Sequence, residues 1–146
     1  MQQLNFPVFD FQIISESGEE KIFDIIRKKY VQLTPEEWVR QHAVRYLIEN
    51  KGYPRTLIQI EGSIKVGKMN KRCDIIAYNK QMQPMLLVEC KRPEVELNQE
   101  VFDQIFRYNI SLGVPKLFVT NGKSHYCFSV SGEKVTFLND IPYFEL

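Results

Sequence analysis

The chain has 146 residues, of which 44% are hydrophobic and 12% aromatic, and its formal net charge is +1. This composition is sufficient for one well-buried core and excludes a disordered chain, a strongly basic nucleic-acid tail and a polybasic membrane segment. Because neither a signal peptide nor a long apolar run is seen, we expect a cytoplasmic protein with no membrane association.

The N-terminal segment has the pattern of a strand hairpin. Alternation over residues 6–14 predicts a strand, a turn follows around Gly18, and residues 21–26 are its expected partner. Residues 27–33 are predicted to be a basic approach to the first helix. We therefore expect one domain, with residues 1–30 as a strand-hairpin extension and residues 31–130 as the core.

The first helix has a clear start. Thr34, Pro35 and Glu37 supply an N-cap, a proline at the first helical position and a glutamate at the third. Apolar residues recur at helical spacing from there to about residue 50, where Lys51-Gly52 ends the pattern. We predict a helix over residues 35–50.

The remaining elements predict a mixed sheet with helices on both faces, an α/β fold. Residues 56–66 form a predicted strand and residues 67–71 a basic loop, and a hairpin follows. A second helix is expected from residue 95 or 97 to residue 112, ended by Gly113, and it can cross over between parallel strands. The last expected strands span residues 116–121, 125–130 and 134–138.

The hairpin of residues 71–91 carries the charges that point to chemistry. If residues 80–83 form its loop, Asn79 pairs with Pro84 and Asp74 falls opposite Glu89. Asp74, Glu89 and Lys91 then share one face, and Cys73 and Cys90 are neighbours on the other, apolar face as reduced thiols. Like charges directly opposite destabilise a sheet, whereas two converging carboxylates suit a hard divalent cation.

A second interpretation of this hairpin is a surface ion-pair ladder, because Arg72, Lys91 and Arg92 flank the two acids. Both strands are otherwise apolar on both faces, which is typical of strands inside a covered sheet. That composition favours a cleft. On these residues alone, a metal site and an ion-pair ladder both remain open.

Several stretches resemble a known family. Asp74 with Glu89-Cys90-Lys91 is similar to the D…E-x-K core of the PD-(D/E)XK nuclease superfamily, with Cys73 replacing the proline. Gln104 and Tyr108 resemble the Q-x-x-x-Y element that follows this core in restriction motor subunits. Five stretches together resemble the N-terminal domain of type I restriction enzyme R proteins, over roughly residues 27–128: TPEEWVRQH, KRCDIIAYN, LLVECKRP, QIFRYN and VTNG.

The resemblance implies a restriction-endonuclease-like three-layer αβα sandwich and Mg²⁺-dependent cleavage of DNA in a defence system, with Mn²⁺ able to substitute. Asp74 and Glu89 would be metal ligands, and Lys91 would act on the attacking water. The family also uses a glutamate of the first helix at the metal. Glu37 is the candidate, although it can equally be a capping side chain, and Glu36 is its rival.

The resemblance also implies contacts with DNA. Gln104 and Tyr108 lie one helical turn apart and are expected to bind the DNA backbone or brace Lys91, and Arg40 is expected to lean towards the cleft. His42 and His125 are expected to be structural. Because a G-x-x-x-x-G-K-[ST] loop is absent from the sequence, we expect either a stand-alone protein or one that works through translocase, specificity or methylation subunits supplied in trans. A homodimer and a non-cleaving nucleic-acid-binding or assembly module remain alternatives.

Overall fold

The structure is a computed structural model that describes residues 1–145. Its elements are, in chain order, β1 (Ile13–Glu16), β2 (Glu19–Asp24), β3 (Lys29–Gln32), α1 (Pro35–Arg45), β4 (Ile58–Ile60), β5 (Ser63–Val66), β6 (Met69–Arg72), β7 (Ile75–Tyr78), β8 (Pro84–Cys90), α2 (Gln99–Leu112), β9 (Lys116–Thr120), β10 (His125–Ser131) and β11 (Lys134–Leu138). A π-helical turn, Tyr46–Asn50, extends α1.

A six-stranded sheet forms the centre of the fold, in the order β11-β10-β9-β8-β7-β4. All neighbours are antiparallel except β8 and β9, which are parallel and are joined through α2. This confirms the predicted mixed sheet and the crossover helix. Two smaller sheets, β1-β2-β3 and β5-β6, lie outside it.

The two helices contact different sets of sheet side chains. Val39 and Leu47 of α1 share a buried cluster with Val88 and other residues of the sheet. Phe102 and Ile105 of α2 belong to a second cluster that includes Leu87. Because side chains alternate faces along a strand, neighbours on β8 contribute to different clusters.

Capping residues fix where each helix begins and ends. The Thr34 hydroxyl accepts a hydrogen bond from the Glu37 N–H at 3.0 Å, as the sequence predicts. In α2 the Asn98 side chain accepts from the Val101 N–H at 3.1 Å, so the helix begins later than residue 95 or 97. Gly113 ends α2 with a φ of +66°, a left-handed conformation that glycine adopts without strain.

The predicted strand over residues 6–14 is wrong, because the first strand begins only at Ile13. Phe6, Phe9 and Phe11 instead surround the His42 ring of α1, with centroids 5.9, 6.0 and 4.8 Å away. Their alternation reflects packing on a helix rather than pairing in a sheet. The predicted basic approach, residues 27–33, contains β3, which extends the hairpin to a three-stranded sheet.

The single strand predicted over residues 56–66 is also wrong. Glu61 adopts a φ of +54°, which ends β4 and redirects the chain. β5 then pairs with β6, so the predicted basic loop of residues 67–71 is half of a hairpin. The sequence pattern missed this because both strands are short and largely exposed.

The core extends past the predicted limit of residue 130. β11 belongs to the six-stranded sheet, and Ile141 and Phe144 are buried against the cluster that holds α1. Within residues 1–145, no helix is long and apolar enough to cross a membrane.

Candidate active site

The candidate site lies where β7 begins and β8 ends. Ile75 pairs with Val88, Ile76 with Leu87 and Ala77 with Leu86, which is the predicted register. The predicted turn is wrong, because the Asn79 N–H donates to the Gln83 carbonyl and Tyr78, not Asn79, lies opposite Pro84. A bulge between Ala77 and Tyr78 absorbs the one-residue difference.

Asp74 lies one residue before the first pair of β7 and β8. Its Oδ2 accepts a hydrogen bond from the Cys90 N–H at 2.8 Å, and its Oδ1 accepts one from the Arg40 guanidinium at 3.2 Å. The bend at this point also turns Cys73 into the cluster of α2, whereas Cys90 lies in the cluster of α1. The two thiols are therefore free and buried, but they do not share a face as predicted.

Glu89 is the side chain with the least compensated charge at the site. Burial raises the pKa of its carboxyl to about 7, and the nearby Asp74 charge adds to the rise. Lys71 and Lys91 offset only part of this effect. Within residues 1–145, no hydrogen bond or ion pair reaches the Glu89 carboxylate at contact distance.

Lys91 follows the end of β8. Its N–H donates to the Thr120 carbonyl at 2.8 Å, so the backbone pairing of β8 with β9 continues one residue further. The side chain is half-buried and lowers the pKa of Glu89 through its charge. It forms no ion pair in the described part of the chain, which leaves its ammonium available for a substrate.

The two glutamates of the first helical turn have different environments. Glu37 is 7% exposed, and its carboxylate accepts hydrogen bonds from Arg40 at 2.6 Å, Gln41 at 2.9 Å and Arg27 at 3.2 Å. Glu36 has a side chain that is 49% exposed, and its charge contributes to the raised pKa of Glu89. Glu36, whose carboxylate lies at 3.6 Å from Arg40, is therefore the more exposed and the more weakly paired acid of α1.

Arg40 connects α1 to the strand end. Its guanidinium contacts Glu37 at 2.6 Å, Asp74 at 3.2 Å and Glu61 at 3.4 Å, and the residue is 6% exposed. Although burial alone would lower it, the charges of Glu37 and Asp74 raise the pKa of Arg40. The side chain is buried and contacts Asp74 rather than facing solvent.

Gln104 and Tyr108 of α2 contact each other, with 3.1 Å between the amide nitrogen and the phenol oxygen. The Lys71 ammonium lies over the Tyr108 ring at 4.1 Å from its centroid. Lys71 in turn lowers the pKa of Glu89. The α2 pair therefore reaches the site through Lys71 of β6.

Three residues at the site, Lys71, Arg27 and Glu61, are not predicted from the sequence. The sequence pattern places Lys71 in a loop, although its position three residues before Asp74 is a usable signal. Arg27 contacts Asp24, Glu37 and Glu61, and these contacts depend on the three-stranded sheet that the sequence did not indicate.

The carboxylates at this site meet part of the requirement for binding a hard cation. Across residues 1–145, no three His, Cys, Asp or Glu side chains converge as a ready ligand set. Asp74 and Glu89 supply two carboxylates, and Mg²⁺ is commonly held by one or two carboxylates with water and phosphate completing its shell. The uncompensated charge of Glu89 beside Asp74 fits a cation at this position.

Comparisons with known proteins agree with this fold. The fragment structure of a protein described as an HsdR subunit of a type I restriction enzyme from Vibrio vulnificus YJ016 is similar, with a TM-score of 0.55 and 20% identity. The match covers 76% of this chain and 24% of that one, and at this identity it concerns the fold alone. No curated protein matches the chain. The family model described as the type I restriction enzyme R protein N terminus matches residues 35–142, and because this is more than half of the chain, the protein belongs to that family.

Proposed function

We propose that the chain is a Mg²⁺-dependent endodeoxyribonuclease domain with a restriction-related role. The observation that carries the proposal is the Glu89 carboxylate, which is half-buried near Asp74 and has a pKa raised to about 7. Strongly perturbed carboxyls at a strand end are typical of sites that bind cations or transfer protons. Membership in the type I restriction enzyme R protein N-terminal family supports the restriction role.

The proposed architecture is the restriction-endonuclease-like three-layer αβα sandwich of the PD-(D/E)XK superfamily. The support is that α1 and α2 belong to different buried clusters, each with its own alternating set of sheet side chains. The D…E-x-K residues then lie at the end of two central strands, β7 and β8.

Asp74 and Glu89 would hold Mg²⁺, or Mn²⁺ in its place. When bound, the ion would neutralise phosphate charge and make the attacking water more acidic. The Cys90 N–H and Arg40 orient the Asp74 carboxylate, so the site is preorganised on this side. Lys91 orients the water and counters the negative charge that develops on the phosphate in the transition state.

We assign the first-helix acid to Glu36 rather than Glu37. Glu37 is already neutralised by Arg40 and Arg27, and a metal would have to break both contacts. Glu36 keeps a largely exposed carboxylate at 3.6 Å from Arg40. Gln104 and Tyr108 would contact the DNA backbone next to the site, and Arg40 would position Asp74.

A second candidate function is a nucleic-acid-binding or assembly module that does not cleave. The observation that favours it is the contact between Arg40 and Asp74, because an arginine can neutralise that carboxylate without a metal. In both cases the partners would be DNA and translocase, specificity or methylation subunits, and self-association as a homodimer stays a prediction.

A plasmid-nicking assay tests the proposal. Wild-type protein should convert supercoiled plasmid to the open form with Mg²⁺ or Mn²⁺ and not in EDTA. Glu89→Gln and Lys91→Ala should each lower the rate by about 100-fold or more, because the first removes a proposed metal ligand and the second a group that acts on the transition state. Lys91→Ala should still bind DNA.

The matched control is Glu94→Gln, since Glu94 has a side chain that is 63% exposed and pairs only loosely with Arg92, at 3.9 Å. It should nick plasmid at the wild-type rate. DNA binding without nicking by the wild-type protein would favour the module that does not cleave, and nicking by Lys91→Ala at the wild-type rate would remove the E-x-K assignment.

A further inference from the structure

The hairpin of residues 63–72, here called the basic hairpin, concentrates charge in a nearly neutral protein. It contains Lys65, Lys68, Lys71 and Arg72 and no acidic residue, whereas the whole chain has a net charge of +1. Its two strands, β5 and β6, form a sheet of their own. The charge is therefore local and lies on an element that the central sheet does not need for its pairing.

The two faces of the basic hairpin differ in chemistry. Ile64 pairs with Lys71, and Ile64 packs partly buried against the cluster of α2. The other face carries the exposed side chains of Ser63, Lys65, Asn70 and Arg72. These are the side-chain types that bind phosphate oxygens in protein–DNA interfaces, and none of them is apolar or acidic.

Two cations of the basic hairpin are not neutralised by an ion pair. Lys65 and Lys68 are exposed and take part in no ion pair within the described residues, whereas Arg72 contacts Glu61 at 2.7 Å. At the tip, Gly67 has a φ of +58° and open space around it. A glycine in this conformation makes a tight turn that leaves the tip free of the protein surface.

The root of the basic hairpin borders the candidate site. Lys71 lies over the Tyr108 ring, and β6 ends two residues before Asp74. Four residues per strand at about 3.3 Å each extend the arm about 13 Å from this root. A duplex whose scissile phosphate lies at Glu89 and Lys91 would then be within reach of the arm.

We propose that the basic hairpin is an arm that binds the phosphate backbone of double-stranded DNA and holds the duplex across the site. This proposal rests on the proposed nuclease function and assigns the substrate surface that this function requires. Lys65 and Lys68 bind phosphates beyond the scissile one, and Lys71 remains with Tyr108 at the root.

The test measures DNA affinity at several salt concentrations in EDTA, where no cleavage occurs. The probe is a fluorescent duplex of 30 base pairs, and the readout is anisotropy. Lys65→Ala/Lys68→Ala should weaken binding severalfold, and the slope of log affinity against log salt should fall by about 2, because each phosphate contact contributes about 0.9.

The matched control is Lys80→Ala/Lys134→Ala, which removes the same charge from two exposed lysines. Lys80 lies in the turn before β8 and Lys134 is the first residue of β11, and both are at the opposite end of the central strands from Glu89. The control should keep the wild-type affinity and slope, and melting temperatures should agree among all three proteins.

The proposal of a DNA-binding arm would be overturned if both double variants lost affinity equally, or if Lys65→Ala/Lys68→Ala kept the wild-type affinity. Absence of DNA binding by the wild-type protein would overturn it as well. The nicking assay separates this outcome from failure of the nuclease proposal. If the wild-type protein nicks plasmid but Lys65→Ala/Lys68→Ala binds DNA normally, only the proposal of a DNA-binding arm is overturned. If Lys65→Ala/Lys68→Ala alone loses binding and the wild-type protein never nicks, the arm is supported and the nuclease proposal is overturned.

Discussion

The carboxylates around Arg27 and Arg40 and the carboxylate of Glu89 at the end of β8 lie in opposite electrostatic environments. Asp24 is fully buried and accepts hydrogen bonds from Gln41 and from the backbone and side chain of Arg27. Although burial alone would raise it, these contacts hold the pKa of Asp24 below its usual value. Glu89 has no such contacts in the described chain, and burial raises its pKa.

This difference separates groups that stabilise the fold from a group that costs stability. Every acid around Arg27 and Arg40 has a cationic partner, so this network ties the three-stranded sheet to α1 and to Asp74. Glu89 lacks a partner of its own, which is destabilising until a cation or proton arrives. A carboxyl group whose pKa is strongly shifted is typical of a functional site.

The largest expected effect comes from breaking the paired region. Arg40→Met should lower the free energy of unfolding by about 3–5 kcal/mol, because it leaves Glu37 and Asp74 without their buried partner. Urea denaturation followed by circular dichroism measures this. Arg107→Met on the exposed side of α2 is the control and should change stability by less than about 0.5 kcal/mol. A similar small change in Arg40→Met would show that the network is not stabilising.

The second prediction concerns the pH dependence of stability without divalent metal. The folded pKa of Glu89, about 7, lies above its ordinary value of 4.5, so the folded state holds the extra proton between these values. Stability contributed by this group is therefore present at low pH and is lost as pH rises from about 4.5 to about 7. We expect a loss of about 1–2 kcal/mol after allowance for solvent screening.

The readout is the difference between wild type and Glu89→Gln, measured by denaturation from pH 4.5 to 8. Burial lowers the pKa of His42 and His125, so their contributions to stability change with pH in the opposite direction, and the difference between the two proteins cancels them. Mn²⁺ should stabilise wild type at pH 7.5 and not Glu89→Gln. Parallel curves for the two proteins would mean that the pKa of Glu89 is not raised in the folded state.

The same contrast explains how much the sequence could predict. The strand register, the cap of α1 and the end of α2 follow from local signals: apolar alternation, Thr34 with Pro35, and Gly113. Asp74, Glu89 and Lys91 could be named because a register and a motif bring them together. The sequence does not distinguish Glu36 from Glu37, because they differ in burial and in the contacts that Arg27 and Gln41 make with Glu37 alone.

Long-range packing explains the other errors. The pattern of residues 6–14 predicts a strand, but the His42 ring that Phe6, Phe9 and Phe11 surround is more than 30 residues away. Glu61 breaks the predicted strand of residues 56–66 at a positive φ, and the Arg72 guanidinium contacts its carboxylate at 2.7 Å. Neither signal is local.

The smallest expected effect tests whether α2 belongs to the chemical region or only to the core. Tyr108→Phe keeps the ring under Lys71 and removes the hydroxyl that accepts the 3.1 Å hydrogen bond from Gln104. Because this bond is exposed, its loss is worth about 0.5–1.5 kcal/mol at most, and we expect plasmid nicking to fall about twofold to tenfold.

Gln104→Ala removes the same bond together with a group proposed to contact DNA, so its nicking rate should fall further. Tyr108→Leu also removes the ring from Lys71 and should slow nicking still more. Kinetics at several DNA concentrations distinguish a binding defect from a slower chemical step, and melting temperatures of Gln104→Ala and Tyr108→Phe should stay close to wild type. Wild-type nicking by both of these variants would assign Tyr108 to packing alone and leave the chemistry to the ends of β7 and β8.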